Sequence, residues 1–257
     1  MVHFVGAGPG AVDLITVRGQ QLIREADVIL YAGSLVNPAL LKEAKKSCDI
    51  YNTATMTLDE VLNVMERSEA EGKRIVRLHT GDPSIYGAIR EQMDALDRRN
   101  IPYEVCPGVS SFCGAAAAIK AEYTLPEVSQ TVIITRAEGR TAVPEREQLA
   151  SLASHGATMV LFLSAGLLQQ VKEELLAGGY EPDTPCAIVY KATWPEERIV
   201  RGVLNELPKM AENAGIRKTA LILVGDFLGD DYALSRLYAP DFTTEYRHAV
   251  SSDAERL

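Results

Sequence analysis

The chain opens on the run VHFVGAGPGAVDLIT, residues 2–16, in which a short apolar strand leads directly into a glycine-rich turn and then towards a helix. This order of strand, small-residue turn and helix is typical of a wound α/β domain, where the turns that follow the strands of a parallel sheet bind ligands. We therefore expect the turn at residues 6–10 to lie at a ligand site.

A dinucleotide is one candidate ligand, since Gly6, Gly8 and Ala11 match the spacing of the dinucleotide fingerprint. Two features oppose it. The predicted strand at residues 27–31 is followed by Ala-Gly-Ser, where a nicotinamide enzyme places an acidic residue for the ribose. Pro9 also lacks the backbone N–H that a phosphate would need. A nicotinamide reductase stays an alternative, but the turn favours another ligand.

Short β-rich runs alternate with helical patterns through the first half of the chain. This alternation predicts an α/β domain over residues 1–120 with a mostly parallel sheet. The predicted strands cover residues 2–6, 27–31, 49–51, 74–79 and 103–106, and the predicted helices cover residues 17–24, 38–45, 58–71, 86–99 and 112–120.

A second alternation follows the aperiodic stretch at residues 121–127 and predicts a second α/β domain over residues 121–240. Its predicted strands cover residues 131–136, 158–163, 186–190, 199–203 and 220–224, and its predicted helices cover residues 145–153, 167–177 and 207–213. Because the strand at residues 199–203 follows the previous one with no room for a helix, we expect an antiparallel pair and a mixed sheet. Residues 241–257 form a polar tail that we expect to be partly disordered.

The composition is that of an ordinary globular protein, with 257 residues, 47% hydrophobic and 24% charged. The net charge of −9 opposes nucleic-acid binding, which needs a basic face. No apolar run is long enough for a membrane helix and the N-terminus lacks a signal-peptide pattern, so we expect a cytoplasmic location and no membrane partner. The cysteines, Cys48, Cys106, Cys113 and Cys186, show no CxxC pairing; we expect buried reduced thiols and no metal site.

Two later turns share the pattern of the first one. They are LHTGDPSIY at residues 78–86 and PGVSS at residues 107–111. In a parallel sheet all three turns lie along the carboxyl edge, where open α/β folds bind ligands. Asp82 followed by Pro83 is equally good N-cap chemistry for a helix, and Ser110 and Ser111 have the same alternative.

Three further features have both a functional and a structural interpretation. The RAEGR run places Arg136 and Arg140 in one turn, where they can bind carboxylates or simply face solvent. His79 ends a strand on the ligand edge but is interpreted as a structural histidine, with no catalytic role assigned. Trp194, the only tryptophan, is expected to pack.

The three turns together resemble those of the tetrapyrrole methylase family over residues 2–225. Members of that family transfer methyl groups from S-adenosylmethionine to uroporphyrinogen and corrin macrocycles. The segments YAGSLV, HTGDP, TRAEGRT and VYKATWP, at residues 31–36, 79–83, 135–141 and 189–195, are similar to the branch that methylates corrin precursors in cobalamin biosynthesis. Ala32 stands where the uroporphyrinogen-III methylases carry a functional aspartate, and TATM at residues 53–56 replaces their Lys-Arg pair, so their acid–base scheme is not carried over and no catalytic residue is assigned.

The resemblance implies two α/β domains with the methyl donor in the cleft between them, and a homodimer. The expected contacts to S-adenosylmethionine, or to the product S-adenosylhomocysteine, are Pro9, Thr80, Gly81, Asp82, Ile85, Ser110, Ser111, Leu163, Ala192 and Ala220. The expected contacts to an anionic tetrapyrrole substrate are Gly8, Tyr86, Arg136 and Arg140. The alternatives are another methylation step of the same family, a diphthine synthase-like methylase acting on a protein, and a non-catalytic binder of the donor or a tetrapyrrole.

Overall fold

The structure is a computed structural model that describes residues 1–249; the last eight residues of the predicted tail, 250–257, lie outside the described part. The first sheet contains the strands β1 (Val2–Gly6), β2 (Val28–Tyr31), β3 (Asp49–Asn52), β4 (Ile75–His79) and β5 (Tyr103–Cys106). Their order is β3-β2-β4-β1-β5 and all neighbours are parallel. The carboxyl ends of β4, β1 and β5 are therefore adjacent, which confirms that the three turns share one edge.

The second sheet contains the strands β6 (Val132–Arg136), β7 (Thr158–Phe162), β8 (Pro185–Tyr190), β9 (Arg198–Val203) and β10 (Ala220–Val224). Their order is β6-β7-β10-β8-β9. Only β6 and β7 are parallel; the other pairs, including β8 and β9, are antiparallel, so the sheet is mixed as predicted. The carboxyl ends of β6, β7 and β8 and the start of β10 consequently lie along one edge.

The helices are α1 (Val17–Glu25), α2 (Leu58–Ala70), α3 (Arg90–Arg98), α4 (Ser111–Ile119), α5 (Leu149–Ala153), α6 (Leu168–Ala177) and α7 (Leu207–Ala214). Local sequence explains several of their starts. Thr57, for example, begins α2 with a reciprocal capping box to Glu60. Two predicted helices are shorter or tighter than expected: the segment at 38–45 is the 3-10 helix Pro38–Glu43, and the segment at 145–153 divides into the 3-10 turn Glu145–Glu147 and α5.

The predicted helix at residues 86–99 was placed too early, because α3 begins only at Arg90. Tyr86 and Ala88 have left-handed backbones, with φ of 55° and 49°, which a right-handed helix excludes. Gly87 between them packs against the Pro83 carbonyl, where a Cβ would not fit. Pro83 therefore begins a tight turn, and Asp82 is not the N-cap of a helix.

Helix α4 connects the two halves in sequence but packs on the second sheet. Its residues Ala115 and Ile119 belong to one core cluster with Val160, Ala187 and Leu223. The first sheet has its own two core clusters, one on each face. The two sheets thus have separate cores, while the domain limits at residues 120 and 240 stay a prediction.

Among residues 1–249, no helix has the length and apolar character needed to cross a membrane. All four cysteines are free. Cys106 and Cys186 are buried as predicted, but Cys48 is only partly buried and Cys113 is exposed on α4, so the prediction of four buried thiols was wrong for these two.

Candidate functional site

The turns after β1, β4 and β5, residues 6–10, 80–86 and 107–111, contact one another and form what we call the triple-turn edge. Gly8 and Gly81 exchange two backbone hydrogen bonds, of 3.3 and 2.9 Å. A Cβ on Gly6 would lie 2.5 Å from the Cα of Gly108 and 2.6 Å from the carbonyl oxygen of Gly81. These glycines are therefore required by the contact between turns, independently of any ligand.

Asp82 joins the second turn to the third. One carboxylate oxygen accepts hydrogen bonds from the backbone N–H and hydroxyl of Ser84, and the other accepts the N–H of Gly108 at 2.8 Å. Partial burial alone would raise the pKa of Asp82, but the donors at Ser84 and Gly108 outweigh it and the pKa lies below its usual value. Asp82 is therefore ionised and links the second turn to the third by hydrogen bonds.

The N-terminus of α4 completes the triple-turn edge. Ser110 is its N-cap residue and is buried, yet its side chain makes no capping hydrogen bond. The capping alternative for Ser110 is therefore wrong. Because the first N–H groups of a helix have no intrahelical partner, this end of α4 offers donors towards the space between the halves.

The edge of the second sheet formed by the ends of β6, β7 and β8 and the start of β10 faces these turns. The Tyr86 ring lies 5.4 Å, centroid to centroid, from Phe162 at the end of β7. Tyr86 and Leu163 are 45% and 66% exposed, and both have left-handed backbones. Left-handed backbone at non-glycine residues clusters at functional sites, so Tyr86 and Leu163 are candidates for ligand contact.

The segment at residues 191–195, after β8, covers the first turn. Trp194 donates its indole N–H to the carbonyl of Pro9 at 3.1 Å, and Thr193 accepts the backbone N–H of Ala11 at 2.9 Å. Trp194 lies directly against Gly10, where there is no room for a Cβ. Trp194 therefore packs, as predicted, and it also links the two halves by a hydrogen bond.

The two arginines of the RAEGR run differ in their surroundings. The Arg136 guanidinium donates to the backbone carbonyls of Ala137, Thr141 and Ala142, at 2.8–3.2 Å, and so holds its own loop together. Burial raises the pKa of Tyr86 above its usual value, and the positive charge of Arg136 offsets this rise only in part. Arg140 is exposed and makes no ion pair with the described residues.

His79 is enclosed behind the triple-turn edge. It is 3% exposed, its ring centroid lies 6.0 Å from that of Phe4, and its Nε2 atom has no hydrogen-bond partner among the described residues. Burial, helped by the positive charge of Arg77, lowers the pKa of His79 to about 3. The histidine is therefore neutral at physiological pH, in keeping with a structural interpretation.

This neutral histidine predicts a loss of stability in acid. In the unfolded chain His79 binds a proton near pH 6.5, whereas in the folded chain it binds one only near pH 3. The free energy of unfolding therefore decreases as the pH falls between these values. The limiting slope is about 1.4 kcal/mol per pH unit. We expect His79→Gln to flatten the decline between pH 7 and pH 5 in urea unfolding, whereas His155→Gln, at an exposed turn, keeps it. An unchanged slope in His79→Gln would contradict this prediction.

The structure gathers the expected site residues along two facing edges. Gly8, Pro9, Thr80, Gly81, Asp82, Ile85, Tyr86, Ser110 and Ser111 lie on the triple-turn edge, and Arg136, Arg140, Leu163, Ala192 and Ala220 lie at the facing edge of the second sheet or in its loop. Sequence reasoning missed Thr193 and Phe162 as contacts across the halves. For Thr193 the available signal was its position next to the single tryptophan at the end of a strand. No sequence signal pointed to Phe162.

Two α/β halves whose strand-end edges face each other fit the tetrapyrrole methylase class, and comparison with known proteins shows that class. The family model described as "Tetrapyrrole (Corrin/Porphyrin) Methylases" matches residues 1–208. The chain therefore belongs to the tetrapyrrole methylase family, and it is an enzyme that transfers methyl groups.

Particular relatives are similar over nearly the whole chain. The cobalt-precorrin-4 C(11)-methyltransferase of Methanocaldococcus jannaschii is 54% identical over 247 residues, which cover 96% of this chain and 95% of the relative. The X-ray structure of a cobalamin biosynthetic enzyme, cobalt-precorrin-4 methyltransferase, has a TM-score of 0.87 and 49% identity, covering 89% of this chain and 96% of that one. A uroporphyrin-III C-methyltransferase from Thermus thermophilus, solved with S-adenosylhomocysteine, has a TM-score of 0.74 and 27% identity, covering 88% and 98%.

Proposed function

We propose that this enzyme transfers a methyl group from S-adenosylmethionine to carbon 11 of cobalt-precorrin-4, or of the metal-free precorrin-4, in cobalamin biosynthesis. The observation that carries the proposal is the 54% identity, over 96% of the chain, to a relative named for this reaction. A solved structure named for the same substrate shares the fold at a TM-score of 0.87.

The residues at the two facing edges fit S-adenosylmethionine. Its amino-acid end needs hydrogen-bond partners, which the uncapped N-terminus of α4 with Ser110 and Ser111 offers. Its adenosyl part needs apolar surface, which Leu163 exposes, and room, which the small residues Ala192 and Ala220 leave. The contacts we propose for the donor are those predicted from the sequence: Pro9, Thr80, Gly81, Asp82, Ile85, Ser110, Ser111, Leu163, Ala192 and Ala220. Asp82 acts there by holding the turns, since both of its oxygens accept hydrogen bonds from the protein.

The chain's contribution to the reaction is orientation. S-adenosylmethionine supplies a methyl group that its sulfonium already activates. Holding a ring carbon in line with such a group can contribute up to roughly 7–11 kcal/mol, so no protein nucleophile is needed. Asp82 is engaged by Ser84 and Gly108, and His79 is enclosed and neutral, so neither is placed to transfer a proton. Gly8 and Tyr86 are the proposed contacts on the first half that position the macrocycle.

Labelled methyl transfer tests the proposal directly. The protein is incubated with cobalt-precorrin-4 and, separately, with precorrin-4, each with methyl-labelled S-adenosylmethionine, and the label is located by NMR. Label at carbon 11 in either product supports the proposal. Label at another carbon would assign a different step of the family. Binding of S-adenosylhomocysteine by calorimetry with no transfer to either macrocycle would favour a binding protein.

Arg140 is proposed to bind a carboxylate of the macrocycle, since it is exposed at the facing edge and free of ion pairs within residues 1–249. Hydrogen bonds to charged groups contribute about 1.5–3 kcal/mol, so Arg140→Gln should raise KM for the macrocycle at least about tenfold at unchanged thermal stability. Arg136→Gln should raise KM and also destabilise, because it frees the three loop carbonyls. Arg146→Gln, at an exposed position nearby, is the control. An unchanged KM in the Arg136 and Arg140 double variant would remove both residues from the substrate site.

The homodimer implied by the family resemblance and the cytoplasmic location expected from the sequence are also proposals. Sedimentation equilibrium of the purified protein tests the first, with a mass of twice 28.0 kDa expected. Fractionation of the cells that make the protein tests the second.

A further inference from the structure

Arg77 is a buried charge in the middle of an otherwise apolar strand. It lies in β4 with its neighbours Val76 and Leu78 fully enclosed, and it is itself only 7% exposed. Burial lowers the pKa of Arg77 to about 10, so the guanidinium still carries its charge at neutral pH. Buried charges in proteins are normally paired with an opposite charge, because removing them from water is costly.

The partners of Arg77 are neutral. Its Nε donates to the side-chain oxygen of Gln92 at 3.1 Å and one Nη donates to the carbonyl of Leu30 at 3.3 Å. Gln92 is fixed in turn by donating to the carbonyl of Ala88 at 3.0 Å. Within residues 1–249 no carboxylate lies within 4.0 Å of the guanidinium. A guanidinium has five N–H groups, and only two of those on Arg77 donate to an acceptor among the described residues.

Arg77 lines a cavity of about 210 Å³ at the carboxyl edge of the first sheet. Thr53 after β3, Gly87 and Ala88 before α3, and Glu91 on α3 also line it. The volume is about seven times the share of one water molecule in the liquid, roughly 30 Å³, which is enough for a short carboxyalkyl chain. Glu91 forms no ion pair with Arg77, and burial is the only influence that shifts the Arg77 pKa.

The cavity and the candidate site share one loop. Tyr86 extends from this loop towards Phe162, and the next two residues, Gly87 and Ala88, line the cavity. The lining of the cavity therefore begins one residue after Tyr86, the proposed macrocycle contact on the first half. Arginine binds carboxylates through paired N–H donors, and such a ligand would supply the missing countercharge.

We propose that the Arg77 cavity binds one carboxylate-bearing side chain of the substrate macrocycle and so fixes the orientation of the ring. This inference rests on the proposed function for the identity of the ligand, while the chemistry of the cavity requires only a carboxylate on a short chain.

The test compares Arg77→Met with the wild-type enzyme and with Arg98→Met, an exposed arginine at the end of α3. Arg77→Met removes the buried charge but also takes a donor from the buried Gln92 side-chain oxygen, so thermal stability by itself does not test the proposal. We expect Arg77→Met to raise KM for the macrocycle at least tenfold and to leave kcat and the calorimetric affinity for S-adenosylhomocysteine unchanged. Arg77→Lys keeps the charge but not the paired donors, so its KM for the macrocycle should lie between those of the wild-type enzyme and Arg77→Met.

A binding measurement separates this inference from the proposed function. Fluorescence titration with uroporphyrin, a stable macrocycle with carboxylates on short chains, needs no turnover. Weaker uroporphyrin binding in Arg77→Met than in Arg98→Met supports the cavity even if carbon 11 is not the methylated position. Loss of stability with unchanged KM and unchanged porphyrin affinity would show that Arg77 only supports the fold. If Arg77→Met does not fold, Arg77→Lys is decisive: wild-type KM and wild-type porphyrin affinity together would overturn the proposal.

Discussion

Replacing Gly6 by alanine is expected to abolish methyl transfer and to destabilise the protein. The new Cβ would lie 2.5 Å from the Cα of Gly108 and 2.6 Å from the Gly81 oxygen, so two backbones must move. Overpacking costs about 1–3 kcal/mol when side chains can adjust, and backbone adjusts less easily, so we expect about 3 kcal/mol. That corresponds to roughly 6–12 °C in Tm at this size. Because the three turns move apart together, affinity for S-adenosylhomocysteine should fall by at least about a hundredfold.

The matched control is Gly166→Ala, where the nearest atom to the new Cβ is the Arg217 oxygen at 3.7 Å, an ordinary contact. Gly114→Ala separates donor binding from folding. It removes a glycine from the interior of α4, which favours the helix by about 1 kcal/mol, but places a Cβ 2.7 Å from that of Pro9. It should therefore stay folded and still bind the donor more weakly. Normal calorimetric affinity in both Gly6→Ala and Gly114→Ala would show that the first turn is not part of the donor site.

The second large effect is expected at Trp194. Its indole fills the space above Gly10 and donates to Pro9, and removing a buried tryptophan costs about 3–5 kcal/mol. Because Trp194 is only partly buried, we expect about 2 kcal/mol for Trp194→Ala, with a clear rise in KM for S-adenosylmethionine as the first turn loses its cover. Trp194→Phe keeps a ring and loses one hydrogen bond, about 1 kcal/mol.

A double-variant cycle tests whether the effect acts through Gly10. Gly10→Ala should push the indole away and reproduce much of the Trp194→Ala defect, whereas adding Gly10→Ala to Trp194→Ala should cost little more, because the obstructing ring is absent. Thermal unfolding and donor KM are measured for all four proteins. Additive effects would mean that the two residues do not act through this contact.

The hydrophobic pattern of the sequence predicted the helices and strands well where that pattern itself determines the structure. The parallel first sheet, the mixed second sheet and the shared edge of the three turns follow from strand spacing and handed connections, and all are confirmed. The start of α3 was predicted wrongly, because Tyr86 and Ala88 adopt left-handed backbones. Neither residue type indicates such a conformation in the sequence. Those conformations are imposed by the contacts around the loop.

The partners of individual side chains were harder to predict from the sequence than the helices and strands. Asp82 has the sequence of an N-cap, but one of its carboxylate oxygens accepts the N–H of Gly108, 26 residues away. Arg136 was expected to face a substrate, and much of its guanidinium holds its own loop. Arg77 was not singled out, although one arginine within an apolar strand is a visible signal of a buried charge.

The sequence by itself determined the family, the strand and turn order, and the edge at which ligands are expected, since these depend on periodicity and on residues near one another in the chain. The tertiary structure alone decided that Gly6 is required by Gly108, that Trp194 covers the first turn from 185 residues away, and that Arg77 is buried with neutral partners among residues 1–249. Such pairings depend on distance and burial in the packed molecule, and sequence spacing carries no information about either.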